Sequence, residues 1–195
     1  MGKKNKLTER PTKEELKAEL RRVKYAERYM KSLKSTIYTL VTVAAITVLI
    51  ATVFLPVLQI YGTSMTPTLQ DGNIVVSSKH SKIEKQDVVA FYYNNKILVK
   101  RVIAVSGEWV DIEDDGTVYV NSIALEEPYI SEKSQGDCDI KMPYQVPEGK
   151  IFVMGDHRKI SVDSRNKSIG CVSEEHIVGR LVYRVWPLNQ LGKII

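Results

Sequence analysis

The sequence predicts a mainly β protein: an antiparallel β-sheet domain, sandwich- or barrel-like, preceded by one transmembrane α-helix. Three observations carry this. From Ser35 to Leu69 there is no Asp, Glu, Lys, Arg or His, and Ile37 to Leu58 within it is dominated by Val, Ile, Leu, Ala and Thr. Beyond residue 60 the apolar residues alternate instead of recurring at helical spacing, in short runs rich in Val, Ile and Tyr. Turn-forming residues separate those runs, and no helical segment of ten or more residues is apparent among them. At 195 residues the chain has room for an anchor and one medium domain.

The expected organisation is a basic amphipathic segment at 1–34, a transmembrane helix at 35–58 and a β-rich domain at 59–195. Residues 1–34 carry 12 Lys/Arg and 5 Glu, a net of +7, which leaves −2 on the remaining 161 of a chain whose total is +5. The segment reads as a solvated charged face, and next to an apolar span it also keeps the N-terminus cytoplasmic and exports the C-terminal part. The folded domain has no basic stripe, so nucleic acid is not an expected partner. Thr12 followed by Glu15 has the form of a capping box, and Leu16, Leu20, Val23, Met30 and Leu33 recur at helical spacing toward the anchor. The 22 residues from Ile37 to Leu58 rise about 33 Å as a helix, which matches a hydrocarbon core of about 30 Å. Threonines in the stretch can bond back to the preceding turn, and Pro56 marks a kink or an exit. The run is too long for a cleavable signal segment and follows 34 other residues, so it is read as a retained anchor.

Candidate strands lie at 73–78, 88–93, 97–105, 109–112, 117–120, 151–154 and 177–185. Asp114-Asp115-Gly116 is a strong hairpin turn, Asn94-Asn95 a second candidate, and residues 173–176 can form a short turn. Residues 130–147 read as an irregular excursion. Cys138 and Cys171 fall in the exported part, where a disulfide is possible, although two cysteines do not fix a bridging geometry. These two and His80, His157 and His176 show no metal-ligand spacing, so neither metal nor cofactor is expected.

Three segments could carry chemistry, and each is ambiguous alone. Gly62-Thr63-Ser64-Met65-Thr66-Pro67-Thr68 follows the anchor, where a serine is ordinarily a turn residue. Val99-Lys100-Arg101-Val102-Ile103 lies in a strand whose alternation sends the two cations to opposite faces; two charges on a sheet edge are the ordinary reading. Residues 155–165, Gly155-Asp156-His157-Arg158 through Ser161-Val162-Asp163-Ser164-Arg165, form a loop that can bond its own backbone. A triad of Asp156, His157 and Ser164 is disfavoured, because adjacent Asp and His seldom point at each other and no nucleophile elbow frames Ser164.

Together, in order and after an N-terminal anchor, these segments resemble the sequence boxes of type I signal peptidases. Ser64-Met65-Thr66-Pro67-Thr68 is similar to the Ser-Met-x-Pro-Thr motif, Asp87-Val88-Val89 to the Gly-Asp-hydrophobic strand, and Lys100-Arg101-Val102-Ile103 to the Lys-Arg strand. Gly155–Arg158 with Ser161–Arg165 resembles the Gly-Asp-Asn-Arg and Ser-x-Asp-Ser-Arg loop, and Val178-Gly179-Arg180 the closing strand. His157 stands where Asn is usual, Gln86 where Gly is frequent, and Ser106-Gly107-Glu108 replaces Pro-Gly-Asp.

The resemblance implies a membrane-bound serine endopeptidase that removes signal peptides from exported preproteins at small-x-small sites. It implies Ser64 as nucleophile, Lys100 as general base, and Ser161 hydrogen-bonded to the lysine to orient it. Asp163 would pair with Arg101, with Arg165 completing the scaffold, and the oxyanion would be held by the Ser64 N–H and a second donor near Gly62. Burial among Leu98, Val99 and Val102 is the means by which such a lysine loses its proton near neutrality. Ile60, Met65 and Ile103 are candidates for apolar pockets that accept small side chains. Partners implied are preproteins and the bilayer, with the protein export machinery left open. A non-catalytic relative would lack the Ser or the Lys; both are present.

Overall fold

The computed structural model describes residues 12–79 and 81–194, with Val53 and Phe54 described by their backbone alone. The lysine-rich start at 1–11 and His80, one of the histidines weighed as a metal ligand, lie outside the described residues. The chain divides into two units, residues 1–50 and 51–195.

Helix α1 (Lys13–Phe54) supplies the first unit and runs 42 residues, about 63 Å at 1.5 Å per residue. It begins at the expected capping box: Thr12 N–H donates to Glu15 Oε2 at 2.8 Å and Glu15 N–H to Thr12 Oγ1 at 3.3 Å. The basic segment and the apolar span form one helix, since neither Gly nor Pro occurs between Lys13 and Leu55. Thr39, Thr42 and Thr47 return their hydroxyls to the carbonyls of Ser35, Tyr38 and Val43 at 2.8–2.9 Å, so the span carries these polar groups already satisfied. It is long and apolar enough to cross a membrane. Pro56 then disfavours helical backbone at Leu55, and β1 (Val57–Gln59) follows at once. The helix therefore stops short of the expected Leu58, which pairs with Val75 in a sheet.

The second unit holds two antiparallel sheets. Its further strands are β2 (Ile74–Ser78), β3 (Val88–Tyr93), β4 (Lys96–Ala104), β5 (Trp109–Ile112), β6 (Val118–Val120), β7 (Ile123–Ala124), β8 (Tyr144–Gln145), β9 (Lys150–Met154), β10 (Val172–Ser173), β11 (Ile177–Trp186) and β12 (Gly192–Lys193). The larger sheet runs β1-β2-β11-β3-β4-β9-β10, with β12 beside β11; the smaller runs β7-β6-β5-β8. All seven expected strands form. The others are two or three residues long, too short to show an alternation.

The turn at 114–116 closes with Gly116 N–H on the Glu113 carbonyl at 2.8 Å, and Gly116 has φ +85°, a conformation that a Cβ disfavours. Asn94-Asn95 joins β3 to β4, whose register starts at Tyr93 opposite Lys96. Strand β4 lies between β3 and β9, so Lys100 and Arg101 are central and not at a sheet edge. In β5 and β6 the buried Val110, Ile112, Val118 and Val120 alternate with more exposed residues and pack on Phe152 and Met154 of β9. Within 130–147 only Tyr144–Gln145 is regular, yet Ile140, Met142 and Tyr144 dock on this same core. Cys138 and Cys171 are free thiols.

Candidate active site

The turn after β1 carries Ser64. Met65 and Leu69, 2% and 0% exposed, insert into the core on either side of the turn and fix its path, leaving the Ser64 side chain at the surface of a groove. Lys100 comes from the middle of β4, opposite Val89, while Arg101 is opposite Val88 and so projects from the other face. Lys100 Nζ donates to Ser64 Oγ at 2.8 Å across a sequence separation of 36. Lys100 is only 4% exposed. Burial pushes its amine down from the ordinary 10.5 to about 8; the Asp163 and Asp156 carboxylates pull upward and the Arg165 guanidinium downward.

The groove encloses about 580 Å³ and is walled by Leu58, Ile60, Met65 and Val99 together with Ser64 and Lys100. Ile60 and Met65 thus line the same groove as Ser64 and Lys100. Ile103 does not: it is wholly buried with Phe152 and Val110 in the core shared with the small sheet. The Gly62 N–H, expected near the oxyanion position, instead donates to Asp71 Oδ1 at 2.7 Å, in a backbone conformation of φ +86° that favours glycine. The Ser64 N–H makes no hydrogen bond among the described residues.

The loop at 155–165 is built on buried ion pairs, and two of its pairings differ from expectation. Arg101 does not reach Asp163; it grips Asp156 in a two-pronged pair, Nε to Oδ1 at 2.9 Å and Nη2 to Oδ2 at 2.7 Å. Register explains this. Arg101 is opposite Met154 in β9, and Asp156, two residues on, continues along that face. Asp156 also accepts from Thr68 Oγ1 at 2.5 Å, which ties the turn that carries Ser64 to the loop. Asp163 pairs with Arg165, Nε to Oδ1 and Nη2 to Oδ2 both at 2.8 Å, and accepts the Gly155 N–H at 2.9 Å. Arg165 also donates to the carbonyls of Gln135 and Arg158 at 2.7 and 2.9 Å. A third pair, Arg158 with Glu127, is equally buried.

Ser161 is 2% exposed and its hydroxyl has no hydrogen-bond partner among the described residues, so the expected bond to Lys100 is not formed. The lysine donates to Ser64 instead, and the Ser161 hydroxyl is packed against Gly155. A Cβ at Gly155 would lie 2.1 Å from Ser161 Oγ and 2.6 Å from the Ser64 carbonyl oxygen, so glycine there is what lets the loop close on the Ser64 turn.

Asp156, Thr68, Glu127 and Gln86 are scaffold residues that the sequence reading did not assign. Strand alternation from Met154 could have found Asp156; nothing in the sequence marks Glu127, which arrives from a loop. Gln86 gives its carbonyl to Arg101 Nη1 at 2.7 Å with φ +71°, the left-handed region in which glycine is the easier residue. No group of three or more His, Cys, Asp or Glu among the described residues could hold a metal ion.

The family model "Signal peptidase, peptidase S26" matches residues 33–186. Signal peptidase IB of Staphylococcus aureus (strain COL) is 40% identical over 152 residues, covering 67% of this chain and 78% of that protein. Thylakoidal processing peptidase 1, chloroplastic, of Arabidopsis thaliana is 36% identical over 154 residues, covering 70% of this chain but 44% of the plant protein. A crystal structure of a signal peptidase I from Enterococcus faecalis V583 is 31% identical, with 52% of this chain and 97% of that one covered at a TM-score of 0.45.

Proposed function

This chain belongs to the peptidase S26 family and is a membrane-anchored signal peptidase, a serine endopeptidase that removes signal peptides; we propose that Ser64 is its nucleophile and Lys100 its general base. One observation carries the reading: the 2.8 Å hydrogen bond between a buried amine and the hydroxyl of Ser64. A serine hydroxyl needs an adjacent base, and an amine is a base only when neutral. An amine at about 8 is roughly 10% neutral at pH 7, against less than 0.1% at the ordinary value. Neutral Lys100 accepts the Ser64 proton as Oγ attacks the scissile carbonyl, and delivers it to the leaving amine when the acyl-enzyme forms. The Ser64 N–H faces the developing oxyanion. Arg101, Asp163 and Arg165, with Asp156, hold the frame.

Substrates are exported preproteins, and the groove walls of Leu58, Ile60, Met65 and Val99 suit the small side chains of a small-x-small site. The cations before the apolar span keep the N-terminus cytoplasmic and the β-rich unit outside. Ser64 is ten residues beyond Phe54, a length that keeps the reaction within about 35 Å of the helix end. Contact with the export machinery follows from that location. Ser64→Ala, produced in sealed cells, tests these points together. Preprotein is expected to accumulate uncleaved while external protease still removes the β-rich unit; cleavage by the variant, or a protected unit, contradicts the reading.

A further inference from the structure

Three hydrogen-bonding groups of His157 bear on the nucleophile turn and the loop behind it. Its N–H donates to the Ser64 carbonyl at 3.0 Å, its carbonyl accepts the Ser161 N–H at 3.1 Å, and its Nδ1 lies 3.1 Å from Thr66 Oγ1. The first two use the main chain and would survive any side chain. The third depends on the imidazole, and the direction of its proton can be derived. Thr66 Oγ1 lies 2.8 Å from the Thr63 carbonyl oxygen, which can only accept. A hydroxyl has one proton, and the shorter of its two contacts, 2.8 Å to Thr63 against 3.1 Å to His157, is assigned it. On that assignment Thr66 Oγ1 accepts from His157, and Nδ1 carries a proton.

We propose that His157, donating Nδ1–H to Thr66, is a positioning residue that holds the 63–66 turn and thereby aims Ser64 at Lys100. The proposal rests on Ser64 being the nucleophile. The relay is short: Nδ1–H fixes the Thr66 hydroxyl, the hydroxyl fixes the Thr63 carbonyl, and Thr63 is bonded directly to Ser64. Neutral and cationic imidazole can both carry the Nδ1 proton, so the bond does not require one charge state. An asparagine carboxamide places an N–H at the same remove from the backbone as Nδ1, and leucine fills similar space without a donor.

Two measurements on the full-length protein test this. In cleavage of a purified preprotein, His157→Leu is expected to lower kcat about 10- to 100-fold with KM changed less than about 2-fold, since mis-aimed groups cost rate more than binding. His157→Asn is expected to restore kcat to within about 3-fold of the parent. Two-dimensional proton–nitrogen spectra of the neutral imidazoles, with His157 assigned by its loss in His157→Asn, should show the Nδ1–H tautomer. Parental kcat in His157→Leu, failure of Asn to rescue, or an Nε2–H tautomer each overturns the positioning role. Retained cleavage by Ser64→Ala instead refutes the nucleophile, and the tautomer is read without any reference to activity, so the two failures are separable.

Discussion

Lys100→Met is expected to abolish preprotein cleavage and, at neutral pH, to make the β-rich unit more stable. Loss of the proposed general base lowers kcat by about 10³- to 10⁴-fold. The stability gain follows from the amine being held near 8 in the folded state against 10.5 ordinarily. Between those values the unfolded chain binds the extra proton, so stability rises with pH across the window; below pH 8 the folded unit bears the full cost, about 3 kcal/mol. Methionine removes that cost but also the bond to Ser64 Oγ, which offsets about 1 kcal/mol. The net stabilisation is about 2 kcal/mol at pH 7; above pH 10.5 only the lost bond remains, and the variant is about 1 kcal/mol less stable than the parent. Urea unfolding of parent and variant at both pH values measures it. A variant that is less stable at pH 7 shows that the lysine is not held against its own solvation.

Asp156→Ala is expected to have the largest effect on folding, a loss of about 3–5 kcal/mol, because it breaks a buried, two-pronged ion pair with Arg101. Arg101 is 0% exposed and Asp156 1%. Among the described residues Arg101 also donates to the Gln86 carbonyl and to Thr68 Oγ1, and its guanidinium carbon lies 3.8 Å from the centroid of the Tyr129 ring. The same change removes the acceptor of the Thr68 hydroxyl and so loosens the Ser64 turn. Asp156→Asn keeps an acceptor and costs less. Urea midpoints at constant slope give the difference; a loss under about 1 kcal/mol contradicts the reading of this pair as the tie between β4 and the loop.

Much of the fold was legible because each long strand announces itself. In β3, β4 and β11 the apolar runs are long enough to alternate and end at turns such as Asn94-Asn95. The anchor was equally plain, but its end was misplaced: Val57 and Leu58 are as apolar as the helix before them, and only their pairing with Val76 and Val75 makes them strand. The site divides in the same way. Ser64 and Lys100 were identified by motif resemblance, since no local pattern relates residues 36 apart. The partners of the arginines were not legible from the motif order. Three arginines and three carboxylates near one loop admit several pairings, and the β4–β9 register selects Arg101 with Asp156. Glu127 lies in a loop and pairs with Arg158 across 31 residues, a proximity that only the folded chain supplies.

The dependence of kcat/KM on pH for the full-length enzyme and a purified preprotein tests the Ser64–Lys100 assignment most directly. Activity should rise tenfold per pH unit below the lysine's value and level off near pH 8, where burial places the Lys100 amine. His157→Asn should leave that midpoint in place. A midpoint near 10.5, or a profile flat from pH 6 to 9, would contradict a buried neutral lysine as the base that activates Ser64.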